Sequence, residues 1–395
     1  MVEVNFHLTA KPLFVLSSIF GLGPVSSFNR YQRNIYTCLN IFWTLLWTLS
    51  ITTFVVFDSY FTLKELTTQP MAIQLVSISY FLSLFLAIII NLLNNIFIRN
   101  NFPIIFSKFC EADKRLFSNS DVIIYRRERF IVVKDIIIVI IISVLTQIGF
   151  CWMFGFHSIG RIIIYSFEQL PLFLNTIVTL QFKFWVRQLN QRLKIIKNYL
   201  VKYTNHHQTD IIRTFRSSKV VNFLDCTDVS SRQFVKHARN IQWLRHVYSV
   251  LFETKQLVNS TYAVPNVCQL ITCYVTCVGA LYWGIHAVSS HTDEVEALVC
   301  FVICGYVLLL LAWVLLNCHR AREEANKIVI YIQKVTANSR FSKVIEDDLM
   351  KFVSQVRDTP IEFTPCGLFT LNLSLLCSTI GVICTYSIIM FQIGD

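Results

Sequence analysis

Seven stretches of twenty or more mostly apolar residues constrain this chain more than any other feature. About 20 such residues are needed for a helix to cross the roughly 30 Å of hydrocarbon in a bilayer. The stretches are Ile35–Phe57, Met71–Ile98, Ile131–Cys151, Ile162–Val186, Tyr262–Val288, Val295–Asn317 and Leu368–Ile393. They predict an all-α membrane protein with seven transmembrane helices. Composition agrees, with 54% hydrophobic and only 15% charged residues, against about 25% charged in a soluble domain. The first 34 residues lack the basic start, apolar run and small-residue cleavage site of a signal peptide. Their apolar piece, Leu13 to Leu22, is too short to span and meets Gly21, Gly23 and Pro24, so it reads as interfacial or re-entrant.

A net charge of +11 would suit a nucleic-acid partner, but its placement says otherwise. Of the 35 Lys and Arg residues, 31 fall on one side of the seven spans, and only Lys64 and Arg161 on the other. Basic loops stay in the cytoplasm, so the N-terminus is expected inside and the C-terminus outside. That is the reverse of a G-protein-coupled receptor. The excess charge encodes topology, and no nucleic-acid partner is expected. The reading divides the chain into a cytoplasmic segment 1–34, a six-helix transmembrane region 35–317 with cytoplasmic extensions, cytoplasmic anchor helices 318–367, and a last helix with an extracellular C-terminus 368–395. Of thirteen cysteines only Cys151 lies at the outer end of a span, so no structural disulfide is expected. The sequons at Asn259 and Asn372 fall at the inner end of the fifth span and within the seventh.

The loops on the basic side are long, yet patterned. Val186, Leu189, Leu193, Ile196 and Leu200 recur at helical spacing, as do Phe234, Ile241, Leu244, Tyr248 and Leu251. Glu323 to Val335 and Val344 to Val356 give two more helices, the last with Glu346, Asp347 and Asp348 near its start, where the helix dipole favours acids. Asn205 to Ser218 reads as a polar linker. Thr359-Pro360 and Pro365 interrupt the chain before the seventh span. The spans are expected to continue beyond the membrane and pack there, rather than lie as separate amphipathic helices on lipid.

Enzyme motifs are absent, and nothing calls for a cofactor or a metal: there is no HExxH, phosphate loop or nucleophile elbow. His206-His207 has no ligand partners at metal spacing, and Cys273/Cys277 and Cys300/Cys304 read as small packing residues. Charged groups inside spans are costly and mark function. Glu168 is the one acid well inside a span. A ligand or ion role and a buried interhelical hydrogen bond both fit it. Lys134 and Asp135, near the inner end of the third span, are expected to satisfy each other or their neighbours. At the depth of Glu168 lie Tyr80, Gln147, Tyr165, Gln169, Asn175, Tyr282, Trp283, His286 and Tyr306. An aromatic-lined cavity with a few polar groups suits a small molecule, although Tyr and Trp also form the interfacial belt. Along the seventh span, Ser374, Ser378, Gly381, Thr385, Ile388/Ile389 and Gln392 form a small and polar stripe. It suits a close packing face or an uncharged water path around a symmetry axis.

Thr385-Tyr386, followed after five residues by Gln392, resembles the final-helix signature of the insect gustatory receptors, relatives of the insect odorant receptors. Ile393 stands where that signature has Phe. The stretch Phe363-Thr364-Pro365-Cys366-Gly367-Leu368-Phe369, the opening Lys11-Pro12-Leu13-Phe14 to Gly21-Leu22-Gly23-Pro24, and Leu257-Val258-Asn259 are similar to other family patterns. The resemblance implies a ligand-gated, non-selective cation channel, passing monovalent and divalent cations. It implies a homotetramer, or a heteromer with other gustatory receptors, in the plasma membrane of a sensory dendrite. The last helix would line the pore with Ser378, Thr385 and Ile389. Gln392 and Ile393 would form the gate, and Thr385 and Tyr386 would couple the helix to its surroundings. Ser387 stands where the main sugar branch has Glu, which argues against that branch and favours a bitter plant tastant; a sugar- or fructose-type receptor is an alternative. A ligand-binding subunit dependent on a partner receptor is the next reading. A transporter is the remote one, since paired charges and internal repeats are missing.

Overall fold

The computed structural model describes residues 2–23, 33–66, 71–116, 122–153, 159–217, 226–289, 294–338 and 343–394, with side chains described over part of these ranges. Eleven α-helices and one 3-10 turn make up the described residues. They are α1 (Val2–Ile19), α2 (Arg33–Leu66), α3 (Met71–Ile98), α4 (Asn101–Leu116), α5 (Val122–Met153), α6 (Ile159–Ser217), α7 (Cys226–Thr261), α8 (Ala263–Ser289), α9 (Glu294–Asn338), α10 (Lys343–Asp358) and α11 (Leu373–Gly394). The 3-10 turn, Pro365–Gly367, precedes α11.

Among the described residues five helices are long and apolar enough to cross a membrane: those holding Gln74–Ile98, Ile124–Gly149, Ala263–Ser289, Val295–Ala337 and Leu373–Gln392. The expected first span falls in α2, whose described apolar part is the shorter Cys38–Phe54. The expected fourth span falls in α6, where the side chains of residues 161–168 lie outside the described set.

The spans do run on beyond the apolar zone. α6 extends unbroken to Ser217 and α9 to Asn338, and α7 leads into α8 across Tyr262. The polar segment 205–217 is therefore helix rather than the linker its composition suggested. It contains neither Gly nor Pro, so nothing in its backbone stops the propagation of α6.

These extensions, with α1, α4 and α10, form a packed layer at the basic end. α4 was not anticipated; it buries Phe102, Ile105, Phe106, Phe109, Ala112 and Leu116 on one face. Phe6 and Phe14 of α1 reach the same core, where Trp185 stacks on Phe109 at 5.7 Å and meets Phe106 edge-on at 4.9 Å. The opening apolar piece thus belongs to a helix docked into the bundle.

The end of α1 explains how a helix stops in such a place. Its last carbonyls have no intrahelical donors, and neighbouring helices supply them. Trp43 and Trp47 donate Nε1–H to the Ile19 carbonyl at 2.7 and 2.9 Å. Thr44 and Asn95 donate to Gly21, and Gln181 to Leu22. Gly21 turns the chain at φ +70°, where a Cβ would sit 3.1 Å from Thr44 Cα.

Four cations spaced along α6 tie the layer together. Lys183 pairs with Asp135 at 2.7 Å, Arg187 with Glu128 at 3.0 Å, Arg192 with Asp113 at 2.6 Å, and Lys197 with Glu324 at 3.0 Å. Asp135 therefore finds its partner on α6, while its neighbour Lys134 is exposed. Arg192 and Asp113 are 2% and 0% exposed. Such a pair survives burial only when its remaining donors and acceptors are met. Here Arg192 also donates to the Gln188 carbonyl and side chain, its plane covers the Phe6 and Phe109 rings, and Tyr125 donates to Asp113.

Candidate functional site

α11 has two unlike faces. Thr379, Ile383 and Ser387 recur at steps of four and are buried at 0, 2 and 4% exposure. With the half-buried Met390 they turn toward α8, with α9 and α3 beside it. The opposite face holds Ser374, Ser378, Gly381, Thr385, Ile388, Ile389 and Gln392, every one exposed. Only 17% of the apolar window of α11 is buried, against 22% for the window in α5 and 44–50% for those in α3, α8 and α9. Tyr386 is exposed as well, on the flank. Ile393 lies outside the described side chains. The helix begins at Leu373, five residues later than expected, because the positive φ angles of Cys366 (+50°) and Gly367 (+72°) hold the chain in a turn. Asn372 then caps it, its Oδ1 accepting from the Leu375 amide at 3.0 Å.

Two of the contacts that fasten this helix to the bundle bear on the site. Midway, Tyr274 of α8 donates its hydroxyl to Thr379 at 3.2 Å. Near the far end, Met390 packs beside Trp283 on a cluster formed by Val76 of α3 and Tyr282 of α8. Tyr282 also faces the His286 ring, 6.4 Å between centroids. Two of the expected ligand residues, Tyr282 and Trp283, thus adjoin the C-terminal turns of α11, and His286 lies beside Tyr282. Val76, Tyr274, Thr379 and Met390 were not singled out from the sequence. Ordinary apolar and hydroxyl residues in a span carry no signal of which helix they meet.

A second polar group lies between α3, α6 and α9. Asn91 donates to Asn175 at 2.9 Å, and Tyr306 donates to Thr176 at 3.1 Å. Asn175 is 1% exposed and its Nδ2 has no partner among the described residues; Gln169 Oε1 and Thr276 Oγ1 are likewise buried without one there. An unmet polar group in an apolar interior costs about 1–3 kcal/mol, so these atoms are ready partners for a polar ligand or water. Tyr80 packs edge-on against Phe81 on α3, and Gln147 donates to Cys151 Sγ at 3.6 Å. Tyr165 and Glu168 lie outside the described side chains, as do His206 and His207.

Between the basic-end layer and α11 runs a connector held at several points. Asn259 both donates to the Thr364 carbonyl (3.1 Å) and accepts from the Thr364 amide (2.9 Å), as a neighbouring strand would. Tyr248 donates to the Thr359 carbonyl at 2.8 Å. Burial raises the pKa of its hydroxyl well above the ordinary value, a shift that bond opposes. The Phe363 ring meets Phe182 edge-on. Arg322 pairs with Glu362 at 3.0 Å, and burial lowers the pKa of nearby Lys255, with Glu362 opposing the shift. The described cysteines are all free, and no group of metal-ligating residues occurs among the described residues.

The model of the 7tm chemosensory receptor family matches residues 10–395. The chain belongs to that family. It is a family of membrane receptors rather than enzymes. This chemosensory receptor also shares its fold with two solved structures. One is the insect olfactory receptor OR5 from Machilis hrabei (TM-score 0.64, 14% identity, 100% of each chain covered), and the other is the same receptor in complex with eugenol (TM-score 0.61, 14% identity, 100% of each chain). No curated protein matches the chain.

Proposed function

We propose that this chemosensory receptor is a ligand-gated, non-selective cation channel, assembled as a homotetramer and opened by a small-molecule tastant, a bitter plant compound. The observation that carries this reading is the two-faced α11: one face is fixed to α8, and the other presents a small, polar, uncharged stripe that no described residue covers. Four copies of that stripe around an axis would make a water-filled path without strong charge selection. The basic end is cytoplasmic by the charge placement argued above, and the receptor sits in the plasma membrane, as the family resemblance implies.

The ligand enters from the outer side and binds among Tyr282, Trp283 and His286 and the polar group of Asn175 and Tyr306. A small aromatic molecule suits these residues, and the olfactory receptor of the same fold was solved with eugenol. The ligand must favour the open arrangement, or binding shifts nothing. Movement of Tyr282 and Trp283 reaches α11 through Met390 and Tyr274. An apolar ring at Ile393 beside Gln392 then withdraws and the pore wets.

Cysteine scanning tests the lining. With Cys377 and Cys384 changed to Ala, Thr385→Cys is expected to let a charged thiol reagent block the ligand-evoked current, while Thr379→Cys stays insensitive. Block at residue 379 but not at 385 would reverse the assignment of faces.

A further inference from the structure

The membrane-entry segment of α5 carries an exposed basic face. Arg126, Arg127, Arg129 and Lys134 are all exposed, and none forms an ion pair among the described residues. Glu128 is the only acid between Arg126 and Lys134, and it is turned away: 3% exposed, it bonds Arg187 at 3.0 Å and Gln188 at 3.3 Å on α6. At roughly 100° per residue, Arg126, Phe130, Lys134 and Ile137 share one side of the helix, and Glu128 faces the other. That outward side is apolar immediately above the cations. Phe130 is 70% exposed, Ile137 49%, Ile141 52% and Leu145 60%. Lys11 of α1 is exposed nearby, since Thr9 bonds the Tyr125 carbonyl.

Loop charge alone would fix topology wherever on the helix it lay. Inward sorting of the one acid, and alignment of the cations under a lipid-facing apolar strip, are further features that topology does not require. We propose that this face of α5 binds an inner-leaflet phospholipid with a multiply phosphorylated headgroup. The headgroup lies across Arg126, Arg127 and Arg129, Lys134 closes over it, and the acyl chains follow Phe130, Ile137 and Ile141. Charge complementarity selects the occupant. Four unpaired cations within nine residues match a polyanion better than a headgroup of single charge, and clustered Lys and Arg just inside a span attract such lipids. A soluble phosphate compound would leave the apolar strip unused. The placement rests on the basic end being cytoplasmic, as proposed above.

The test uses the full-length receptor purified in detergent, where binding is read without any channel opening, so it stands apart from the gating proposal. Dioctanoyl phosphatidylinositol bisphosphate is titrated by thermophoresis against wild type and two triple variants. Each basic residue contributes about a fivefold factor in affinity. Saturable binding is therefore expected, weakened about a hundredfold by Arg126→Gln with Arg127→Gln and Arg129→Gln. The corresponding three Arg→Lys changes should leave it within a few fold of wild type. Dioctanoyl phosphatidylserine, with one net charge, and inositol trisphosphate, without tails, are both expected to bind much more weakly. No saturable binding by wild type would overturn the proposal, whatever the variants do. So would undiminished binding by the triple Gln variant, or affinity for phosphatidylserine or inositol trisphosphate equal to that for the bisphosphate lipid.

Discussion

Replacing Asp113 with Asn separates a stability role for the layer at the basic end from mere proximity of charges. Asp113 is fully buried, accepts from Arg192 at 2.8 and 2.6 Å, and accepts from Tyr125 at 2.8 Å. The Asn keeps the shape but strands the Arg192 guanidinium, which is 2% exposed. Removing one partner of a buried pair costs about 3–5 kcal/mol. An exposed i,i+4 pair such as Arg115 with Glu111, 40% and 46% exposed, is worth about 0.3–0.5 kcal/mol. Roughly a tenfold difference therefore separates Asp113→Asn from Glu111→Gln. Thermal midpoints of the detergent-solubilised receptor, read by fluorescence-detected size exclusion, should fall by about 10 °C for the first and about 1 °C for the second, at a few degrees per kcal/mol. A double change, Asp113→Leu with Arg192→Met, should recover most of the loss, because a well-packed apolar pair can replace a buried ionic one. Equal small shifts for Asp113→Asn and Glu111→Gln would refute the reasoning, and a double variant no better than Asp113→Asn would refute the ionic account of it.

Tyr274→Phe deletes only the hydroxyl that holds Thr379; interhelical hydrogen bonds in membranes average about 0.6 kcal/mol. Lost from all four subunits of the proposed tetramer, that is about a fiftyfold shift in the closed-to-open ratio, read as a leftward move of the dose-response curve or raised basal current, and an unmoved curve would remove Tyr274 from the coupling. Asn259→Asp keeps the acceptor for the Thr364 amide but loses the donor to its carbonyl, so ligand efficacy should fall with surface expression preserved; normal efficacy would show that the connector does not transmit. Ile393→Ser should leave a leaky channel in the absence of ligand, and a tightly shut resting state would dismiss it as the gate. Trp283→Ala should shift ligand sensitivity while leaving single-channel conductance unchanged; an unaltered dose-response curve would take it out of the ligand site.

Much of the fold was legible because lipid imposes a simple rule. Long apolar runs located the spans in α3, α5, α8 and α9, and the 3–4 spacing of Val186 to Leu200 located the extension of α6. The stripe on α11 was legible for the same reason: Ser374 to Gln392 breaks an apolar background at one helical period, and the structure leaves that face open. Polarity misled at 205–217, where a composition typical of loops lies on a helix without a breaker. α4 escaped notice between two spans, although Phe102, Phe106 and Phe109 already carry its period. The cation ladder could not be read at all, because Asp135, Glu128 and Asp113 lie 48, 59 and 79 residues from their partners and any acid in those stretches would have served equally. For the same reason the sequence listed Tyr282, Trp283, Asn175 and Tyr306 at one depth without showing that the first two meet α11 and the last two lie among α3, α6 and α9.

Whole-cell recording from non-insect cells expressing only this chain tests the central claim most directly. Plant alkaloids, phenolics, glycosides and sugars are applied with a G-protein blocker in the pipette. A rapid inward cation current that survives the blocker is the predicted result. A ligand response abolished by the blocker, or silence with surface expression proven and a partner receptor restoring the current, would contradict a self-sufficient channel.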